Sequence, residues 1–379
     1  MNTKIWLSPP QMSGEEMKYI EEAFATNWIA PVGANVGEFE NDLCKYTGSK
    51  HALALSSGTA AIHVALDVLG VTKDDIVLCQ SLTFVASANP IVYLGANPVF
   101  IDSEPTTWNM CPEALETAIK HFVNLGKKPK AVIVVHLYGM PARLREIIYV
   151  CRKYGIPMVE DAAEALGSEY FGQKLGTLGD LGILSFNGNK IITTSGGGAV
   201  LSGREEYIKK ARHLSTQARD EAAHYEHSEI GYNYRLSNVC AGIGRGQMEV
   251  VANRVSGRRS NFSLYKNFLV QIPGITFQEE PERFSSNRWL TVVLFDEGKS
   301  TLSAIEIKSH FDKMNIETRL IWKPMHLQPV FRKAYYFGGK CSEKLFATGL
   351  CLPSGSDLRE AEIFRICTQI VDLHKSKRG

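Results

Sequence analysis

The sequence predicts an α/β fold: a large domain built on a mostly parallel, seven-stranded sheet, followed by a smaller α+β domain. Up to residue 201, seven short runs are almost continuously apolar, which is typical of strands buried on both faces of a parallel sheet. Helical patterns fill most of the gaps between them, and this alternation favours parallel pairing. The predicted strands are 52–55, 76–79, 98–101, 131–135, 157–160, 183–186 and 198–201.

Three of the gaps carry clear helical patterns. Residues 59–69 and 142–154 place apolar side chains at helical spacing. Residues 112–123 open with Pro112, which is favoured in the first turn of a helix. The last two strands are too close in sequence for a crossover helix, so they are expected to form a hairpin-like return.

The pattern changes after about residue 245. Long charged helical stretches surround a strand-like run at 290–295, as expected of a smaller α+β unit. We therefore expect a large domain over residues 1–245 and a small C-terminal domain over residues 246–379. Residues 1–27 hold one amphipathic helix and are expected to pack on the small domain.

Composition excludes several classes of protein. The 379 residues include 42 basic and 40 acidic side chains, and a net charge of +2 gives no field that would gather nucleic acid or anionic lipid. No apolar run approaches a membrane span, and the first residues lack the apolar region of a signal peptide. The eight cysteines are scattered, as in reduced intracellular enzymes. We expect a cytoplasmic protein without nucleic-acid or membrane partners and without a metal site.

A candidate phosphate site lies at residues 56–60, Ser-Ser-Gly-Thr-Ala. This segment follows a predicted strand and opens a predicted helix. Unpaired backbone amides and the positive end of the helix dipole at such a junction suit a phosphate group. Taken alone, the segment is better explained by an ordinary helix N-cap.

Two further motifs lie at the ends of later strands. Asp161 comes at the carboxyl end of a strand, where open α/β sheets bind ligands, and a carboxylate there can hold a heteroaromatic nitrogen protonated. Lys190 follows 29 residues later in a tight turn, from which its amine can attack a carbonyl to form a Schiff base. Taken alone, a capping aspartate explains Asp161 equally well, and a surface lysine is the simpler interpretation of Lys190.

The order of these motifs favours one cofactor. A phosphate cradle, an acid for a ring nitrogen and a lysine for an aldehyde, each at a strand end, together match pyridoxal 5′-phosphate (PLP). The glycines after Lys190 do not have the Walker A order. No G-x-G-x-x-G follows the first strand, which argues against a dinucleotide-dependent oxidoreductase.

Several longer motifs suggest a family. They are Leu-Ser-Pro-Pro at 7–10, Asn-Trp-Ile-Ala-Pro at 27–31, Ser-Gly-Thr-Ala-Ala at 57–61, Thr-Phe at 83–84, Val-His-Leu-Tyr-Gly at 135–139, Glu-Asp-Ala-Ala-Glu at 160–164, Gly-Tyr-Asn-Tyr-Arg-Leu-Ser at 231–237 and Trp-Lys-Pro-Met-His at 322–326. With them the chain resembles, nearly end to end, the DegT/StrS-type nucleotide-sugar aminotransferases of PLP fold type I. Residues 187–198 are similar to the branch that aminates C4 of UDP-2-acetamido-2,6-dideoxy-4-ketohexose, the UDP-4-amino-4,6-dideoxy-N-acetylglucosamine transaminase type.

The resemblance implies roles for the matching residues. Lys190 is the expected catalytic residue, forming a Schiff base with PLP. Asp161 is expected to bind the pyridine nitrogen, Phe84 to stack on the ring, and Glu164 to lie near the phenolic oxygen or the reacting amine. The expected cofactor-binding residues are Ser57, Gly58, Thr59, Phe84, Asp161, Glu164, Ser185, Asn187 and Asn233.

The resemblance also implies a second subunit. Gly58, Thr59 and Ser185 are expected to hold the cofactor phosphate, and Asn233 is expected to reach the phosphate of the neighbouring subunit's cofactor. A complete site then requires a homodimer. The residues expected to receive the nucleotide sugar are Asn27, Trp28, Ile29, Ala30, Arg235 and His326.

The implied reaction transfers an amino group from glutamate to C4 of a UDP-linked 4-keto-6-deoxy-N-acetylhexosamine. The product, UDP-2-acetamido-4-amino-2,4,6-trideoxyhexose, would serve bacterial surface-glycan or glycoprotein sugars such as bacillosamine. Many relatives carry His at the position of Asn187 and Gln at that of Glu164, and these departures match the C4 branch. The alternatives are amination at C3 or of another nucleotide-linked ketosugar, and a catalytically inactive regulator; Lys190 and Asp161, both present, disfavour the regulator.

Overall fold

The computed structural model describes residues 3–296 and 298–377. None of the helices in these two ranges is both long and apolar enough to cross a lipid bilayer. They are α1 (Glu16–Ala25), α2 (Ala34–Thr47), α3 (Gly58–Val68), α4 (Asn89–Tyr93), α5 (Pro112–Asn124), α6 (Leu144–Tyr154), α7 (Glu205–Ser215), α8 (Asn238–Met248), α9 (Val251–Leu269), α10 (Ala304–Lys313), α11 (Cys341–Thr348) and α12 (Glu360–Ser376).

The strands form one large sheet and two small ones. The large sheet has the order β1-β9-β8-β5-β4-β2-β3-β14, and the small sheets have the orders β10-β12-β15-β13 and β11-β6-β7. The strands are β1 (His51–Leu55), β2 (Ile76–Gln80), β3 (Asn97–Ile101), β4 (Ala131–Val135), β5 (Met158–Asp161), β6 (Glu169–Tyr170), β7 (Gln173–Lys174), β8 (Leu181–Ser185), β9 (Gly198–Ser202), β10 (Ile275–Phe277), β11 (Phe284–Ser285), β12 (Thr291–Phe295), β13 (Arg319–Leu320), β14 (Tyr335–Phe337) and β15 (Gly349–Leu352).

The large sheet confirms the predicted fold class. All seven apolar runs are strands of this sheet, and parallel ladders join β3, β2, β4, β5 and β8. β9 returns antiparallel beside β8, as the short connection predicted. On its other side, β9 pairs antiparallel with β1. Neighbouring parallel strands therefore bring their carboxyl ends to one edge, and this edge forms one wall of the functional site.

The sheet has eight strands rather than the predicted seven. The additional strand, β14, pairs parallel with β3, with Tyr335 opposite Val99. It is only three residues long and partly exposed, so it lacks the continuous apolar run by which the other seven were recognised. It also lies within residues 246–379, so this part of the chain contributes to both the large sheet and the four-stranded sheet.

Helices cover both faces of the large sheet. Successive side chains of a strand point to opposite faces, so β1 sends Leu53 and Leu55 into one hydrophobic cluster and Ala52 and Ala54 into the other. The first cluster includes apolar side chains of α3 and α7, and the second those of α5 and α6. This burial on both faces explains why the strand sequences are continuous apolar runs, without alternating apolar and polar residues.

The four-stranded sheet has its own core. Its apolar side chains pack with those of α9, α10 and α12 in a third cluster, which also takes in Ile5 of the N-terminal segment. Ile5 forms a bridge with Ile316, next to strand β13. α1 packs on α8 so closely that a Cβ atom on Gly246 would lie 2.7 Å from the backbone nitrogen of Glu16.

Gly198, at the start of β9, is expected to be intolerant of any side chain. A Cβ atom there would lie 2.4 Å from the carbonyl carbon of Ser57 and 2.5 Å from the nitrogen of Gly58, which are backbone atoms at the start of α3. We expect Gly198→Ala to lower the free energy of unfolding by about 1–3 kcal/mol, measured by urea denaturation. Gly203→Ala, where a Cβ meets nothing within 4 Å, is the control and should change it by less than about 0.5 kcal/mol. Equal effects of the two changes would contradict this packing.

Candidate active site

A cavity of about 430 Å³ lies between the carboxyl edge of the large sheet and the four-stranded sheet. Its volume is in the range of small-molecule sites. One wall comes from the ends of β5 and β8 and the start of α3, and the other from the N-terminal segment and residues 289–351. Nine residues singled out in the sequence line it, namely Ser57, Gly58, Thr59, Phe84, Asp161, Glu164, Ser185, Asn187 and Lys190.

The start of α3 offers an anion site. Ser57 is the N-cap residue, in an extended conformation, and its side chain accepts a hydrogen bond from the amide of Ala60 at 3.0 Å. Gly58 lies so close to Ser185 that a Cβ atom would be 3.0 Å from the Ser185 Cβ and 3.2 Å from its hydroxyl oxygen. This close approach brings a hydroxyl from the end of β8 to the positive end of the α3 dipole.

Asp161 ends β5 and is almost fully buried. Its Oδ2 accepts a hydrogen bond from the hydroxyl of Ser87 at 2.6 Å, and its Oδ1 accepts one from the amide of Ala163 at 3.2 Å. The Ser87 hydroxyl is itself 2.7 Å from that of Thr83. These contacts fix the orientation of a carboxylate that lines the cavity.

Lys190 and Glu164 meet across the cavity floor. The Nζ of Lys190 lies 3.7 Å from Oε1 of Glu164 and 4.2 Å from the ring centre of Trp289, and only 12% of the lysine side chain is exposed. Oε2 of Glu164 accepts the amide hydrogen of Tyr138 at 2.7 Å. Burial raises the pKa of Glu164 to about 7, although the Lys190 cation and the Tyr138 amide act in the opposite direction.

A buried carboxylate holds this edge of the sheet together. Glu160, next to Asp161 in β5, accepts backbone hydrogen bonds from Gly176, Leu178 and Gly179 in the segment that leads to β8. His136 follows β4, and its Nε2 lies 3.1 Å from Oε2 of Glu160. Its Nδ1 accepts the amide hydrogen of Ala142. The imidazole is therefore a neutral donor to Glu160, and it joins β4, β5 and the approach to β8.

Among the described residues, the other sequence-predicted positions do not line this cavity. Asn233 is exposed beside its neighbours Tyr232 and Tyr234, whose rings stack at 4.9 Å. Residues 27–30 form an exposed turn in which Trp28 is 54% exposed.

Arg235 and His326 are engaged elsewhere in the fold. Arg235 is partly buried, with 9% of its side chain exposed, and donates hydrogen bonds to the carbonyl of Ala54 and to Glu40. His326 lies 2.7 Å from the hydroxyl of Ser81 and stacks on Tyr336. Burial lowers the pKa of His326, although Glu343 nearby acts in the opposite direction.

The structure adds residues that the motifs did not assign to the site. Ser8, Ser87, Trp289, Trp322 and Arg319 also line the cavity. The ring of Trp289 contacts the Lys190 amine. Ser8 and Trp322 lie within family motifs, which were the available signal. Ser87, Trp289 and Arg319 come from a short helical turn, a loop and a short strand without a pattern of their own, and only the folded chain brings them to the sheet edge.

The comparisons with known proteins agree with this geometry. The model of the DegT/DnrJ/EryC1/StrS aminotransferase family matches residues 10–371. The chain belongs to this family. Its cofactor is therefore pyridoxal 5′-phosphate, and it is a sugar aminotransferase.

Individual relatives of this aminotransferase cover nearly its full length. EpsN of Bacillus subtilis (strain 168), provisionally named a pyridoxal phosphate-dependent aminotransferase, is 52% identical over 377 residues, which are 98% of this chain and 96% of EpsN. GDP-perosamine synthase of Caulobacter vibrioides is 36% identical over 96% of each chain. The PLP form of Spr1654 from Streptococcus pneumoniae, provisionally described as a sugar aminotransferase, superposes with a TM-score of 0.90 at 25% identity, covering 99% of this chain and 100% of the other.

The chemistry of the cavity fits this cofactor. A helix N-terminus with hydroxyls nearby suits its phosphate, a buried carboxylate suits its protonated ring nitrogen, and a shielded amine suits its aldehyde. The aminotransferase presents all three groups around a single cavity.

The protonation of Glu164 is expected to make the stability of the cofactor-free chain depend on pH. Its pKa rises from 4.5 to about 7 on folding, so the folded chain keeps this proton to a higher pH than the unfolded chain. The stabilising contribution is complete below about pH 4.5 and disappears as the pH rises through 7. Between these limits, the free energy of unfolding of the wild type should fall relative to that of Glu164→Gln by on the order of 3 kcal/mol. Urea unfolding at a series of pH values tests this, and parallel pH profiles would contradict it.

Proposed function

We propose that this aminotransferase transfers the amino group of glutamate to C4 of a UDP-linked 4-keto-6-deoxy-N-acetylhexosamine, giving UDP-2-acetamido-4-amino-2,4,6-trideoxyhexose. The observation that carries the proposal is the meeting of Lys190, Asp161 and Glu164 around one cavity at the start of α3. The choice of sugar is supported by the similarity of residues 187–198 to the C4-aminating branch. Such a product would serve the synthesis of bacterial surface glycans or glycoproteins.

Lys190 is proposed to attach the cofactor and to move the proton. Bound PLP supplies an aldehyde that takes up amines covalently and a ring that withdraws electrons. In its free form, the Lys190 amine would take the proton from the glutamate Cα. In the second half of the reaction the same amine delivers a proton to C4 of the sugar. Its low exposure keeps competing water away from this transfer.

The remaining cavity residues are proposed to bind and orient. Ser57, Gly58, Thr59 and Ser185 would hold the phosphate through hydroxyls and backbone amides at the start of α3, with Asn187 beside them. Asp161, held by Ser87 and a backbone amide, would keep the ring nitrogen protonated. The half-exposed ring of Phe84 is available to stack on the cofactor ring.

Glu164 is proposed to exchange a proton near neutral pH. With its pKa raised to about 7, the carboxyl group can donate a hydrogen bond in its neutral form and accept one in its charged form. Both forms are useful beside the phenolic oxygen of the cofactor or a reacting amine. A glutamine could donate and accept here, but it could not take up the proton.

The nucleotide sugar is proposed to contact the exposed segment 27–30 and His326, although neither lines the cavity of its own described chain. The exposed indole of Trp28 offers a surface on which a nucleobase can stack. Arg235 would have to leave Glu40 and the Ala54 carbonyl to reach a substrate, so any contact it makes requires a rearrangement.

A homodimer is proposed to complete the site. Asn233 is exposed and does not line the cavity of its own described chain, which is compatible with a contact in a neighbouring subunit. The stacked rings of Tyr232 and Tyr234 on either side would keep it directed outward.

A GDP-linked ketosugar is the second candidate substrate. It is supported by the 36% identity to a protein named GDP-perosamine synthase. The two candidates share the PLP chemistry and differ in the nucleotide and the sugar, so a direct substrate comparison separates them.

An absorbance spectrum tests cofactor, donor and acceptor together. We expect a visible cofactor band that glutamate bleaches and the UDP-linked 4-ketosugar restores. Lys190→Ala should lower turnover by about three orders of magnitude or more, whereas Lys209→Ala, at an exposed site, should not change it. A band restored only by a GDP-linked 4-ketosugar would favour the second candidate. A band that glutamate does not bleach would contradict aminotransfer from this donor.

Mixed dimers test the proposed role of Asn233. Lys190→Ala and Asn233→Ala homodimers should each be weakly active, because every site lacks one group. A mixed dimer has one complete site if Asn233 acts across the interface, so an equal mixture should recover about a quarter of wild-type activity. No recovery after unfolding and refolding the two variants together would show that Asn233 acts within its own chain.

A further inference from the structure

The peptide bond directly before Lys190 is held from two distant parts of the chain. The carbonyl oxygen of Asn189 accepts a hydrogen bond from the hydroxyl of Ser8 at 2.7 Å and another from the indole Nε1 of Trp289 at 2.7 Å. Trp289 also offers its ring face to the Lys190 amine at 4.2 Å. Ser8 and Trp289 therefore fix both the backbone that carries the lysine and the surface on which its ammonium group rests.

One buried guanidinium holds both of these residues. Arg258, in the middle of α9, donates from Nη1 to the carbonyl of Trp289 at 2.6 Å and from Nη2 to the hydroxyl of Ser8 at 2.9 Å. It is 2% exposed, and its Nε has no hydrogen-bond partner among the described residues. Burial lowers its pKa to about 10, so it stays charged near neutral pH. A buried cation whose hydrogen-bond partners are neutral is costly, although the charge of Asp357 favours it, and packing alone would be served better by an apolar side chain.

The segment that carries Trp289 is also tied to Glu164. The side-chain amide of Asn287 donates to the carbonyl of Glu164 at 2.8 Å, and its oxygen accepts the amide hydrogen of Trp289 at 2.9 Å. Between them, Arg288 has φ of 52°, in the left-handed region that a non-glycine residue seldom adopts. Such local strain persists only where the surroundings enforce it. The strap of residues 287–289 thus links the two sides of the Lys190–Glu164 contact.

We propose that Arg258 is a positioning residue for the Lys190 amine: through Ser8 and Trp289 it fixes the Asn189 carbonyl and the ring against which the amine lies. Arg258 contacts neither Lys190 nor the cavity, and it acts only through these two residues. This inference deepens the proposed function and rests on the role given to Lys190 there.

Arg254 provides a matched control. It lies one helical turn before Arg258 in α9 and is also buried. Its Nη2 donates to the carbonyls of Gln11 and Met12, so it too fastens the N-terminal segment. It has no hydrogen bond to a residue that lines the cavity, within the described parts of the chain. Any effect of losing a buried arginine that merely anchors this segment should therefore appear in both variants.

The experiment compares Arg258→Met with Arg254→Met in the full-length chain. In the cofactor-free protein, competitive labelling with an amine-reactive reagent at pH 8, read by peptide mass spectrometry, reports the accessibility and basicity of Lys190. We expect labelling to be about fivefold faster in Arg258→Met, because the ammonium loses its contact with the Trp289 ring, and unchanged in Arg254→Met. In the PLP-loaded enzyme, kcat should fall about tenfold in Arg258→Met with the KM for glutamate changed less than about twofold. Arg258→Lys, which keeps one charged donor, should recover part of both effects.

The double variant Ser8→Ala/Trp289→Phe covers the case in which Arg258→Met fails to fold. It removes both donors to the Asn189 carbonyl, and with the indole N–H it removes the hydrogen bond that holds the ring at position 289 against the amine, so it should show the same labelling and the same fall in kcat. The proposal would be overturned if Lys190 were labelled at the same rate in Arg258→Met as in Arg254→Met. The same rate in the double variant as in Arg254→Met would also overturn it. The labelling needs no turnover, so it distinguishes failure of this inference from failure of the proposed reaction.

Discussion

The geometry of the site depends on the hydrogen bonds that the carboxylate of Glu160 accepts. This carboxylate satisfies three backbone amides of the 176–179 segment and takes a fourth hydrogen bond from the neutral imidazole of His136. Because Glu160, His136 and Gly176 are buried, and Leu178 and Gly179 are partly buried, removal of the carboxylate would leave several shielded donors unpaired. Glu160 therefore sets the relative positions of β4, β5 and the approach to β8. Asp161 is its neighbour in the chain, and Ser185 and the turn to Lys190 follow from β8, so the functional groups take their places from this contact.

The cavity itself is closed by residues that are far apart in sequence. The sheet edge supplies Asp161, Ser185 and the start of α3, and the opposite wall comes from residues near position 8 and after position 289. Long-range hydrogen bonds such as Ser8 to Asn189 join the two walls. The amine of Lys190 is thus held by contacts that exist only in the completed fold, and the N-terminal segment is part of the site rather than an appendage.

The difference between local patterns and contacts made only in the completed fold explains how much could be predicted from the sequence. The seven strands were visible because burial on both faces leaves continuous apolar runs, and Asp161, Lys190 and the Ser57–Thr59 segment were visible because ligands bind where such strands end. β14 was missed because three partly exposed residues carry no such pattern. The contact of Trp289 with Lys190 was missed because it depends on residues about one hundred positions apart. Arg235 was recognisable as a motif residue, but its pairing with Glu40 depends on tertiary contacts that the motif does not encode.

The pairing of Lys190 with Glu164 couples covalent chemistry to the position of a proton. Burial and the charge of Asp161 raise the pKa of Glu164, and the charge of Lys190 lowers it. The Lys190 ammonium, 3.7 Å away, lowers the pKa of Glu164 relative to burial alone, so more of the carboxylate form is present than beside a neutral lysine. When the lysine becomes neutral, that support disappears and the same site favours the protonated carboxyl. In the proposed reaction, Glu164 would therefore hold a proton that Lys190 releases, at a distance of 3.7 Å, until the lysine takes it up again. Glutamine has the same shape but cannot take up or release this proton. The glutamate at position 164 therefore contributes acid–base chemistry to the site in addition to packing.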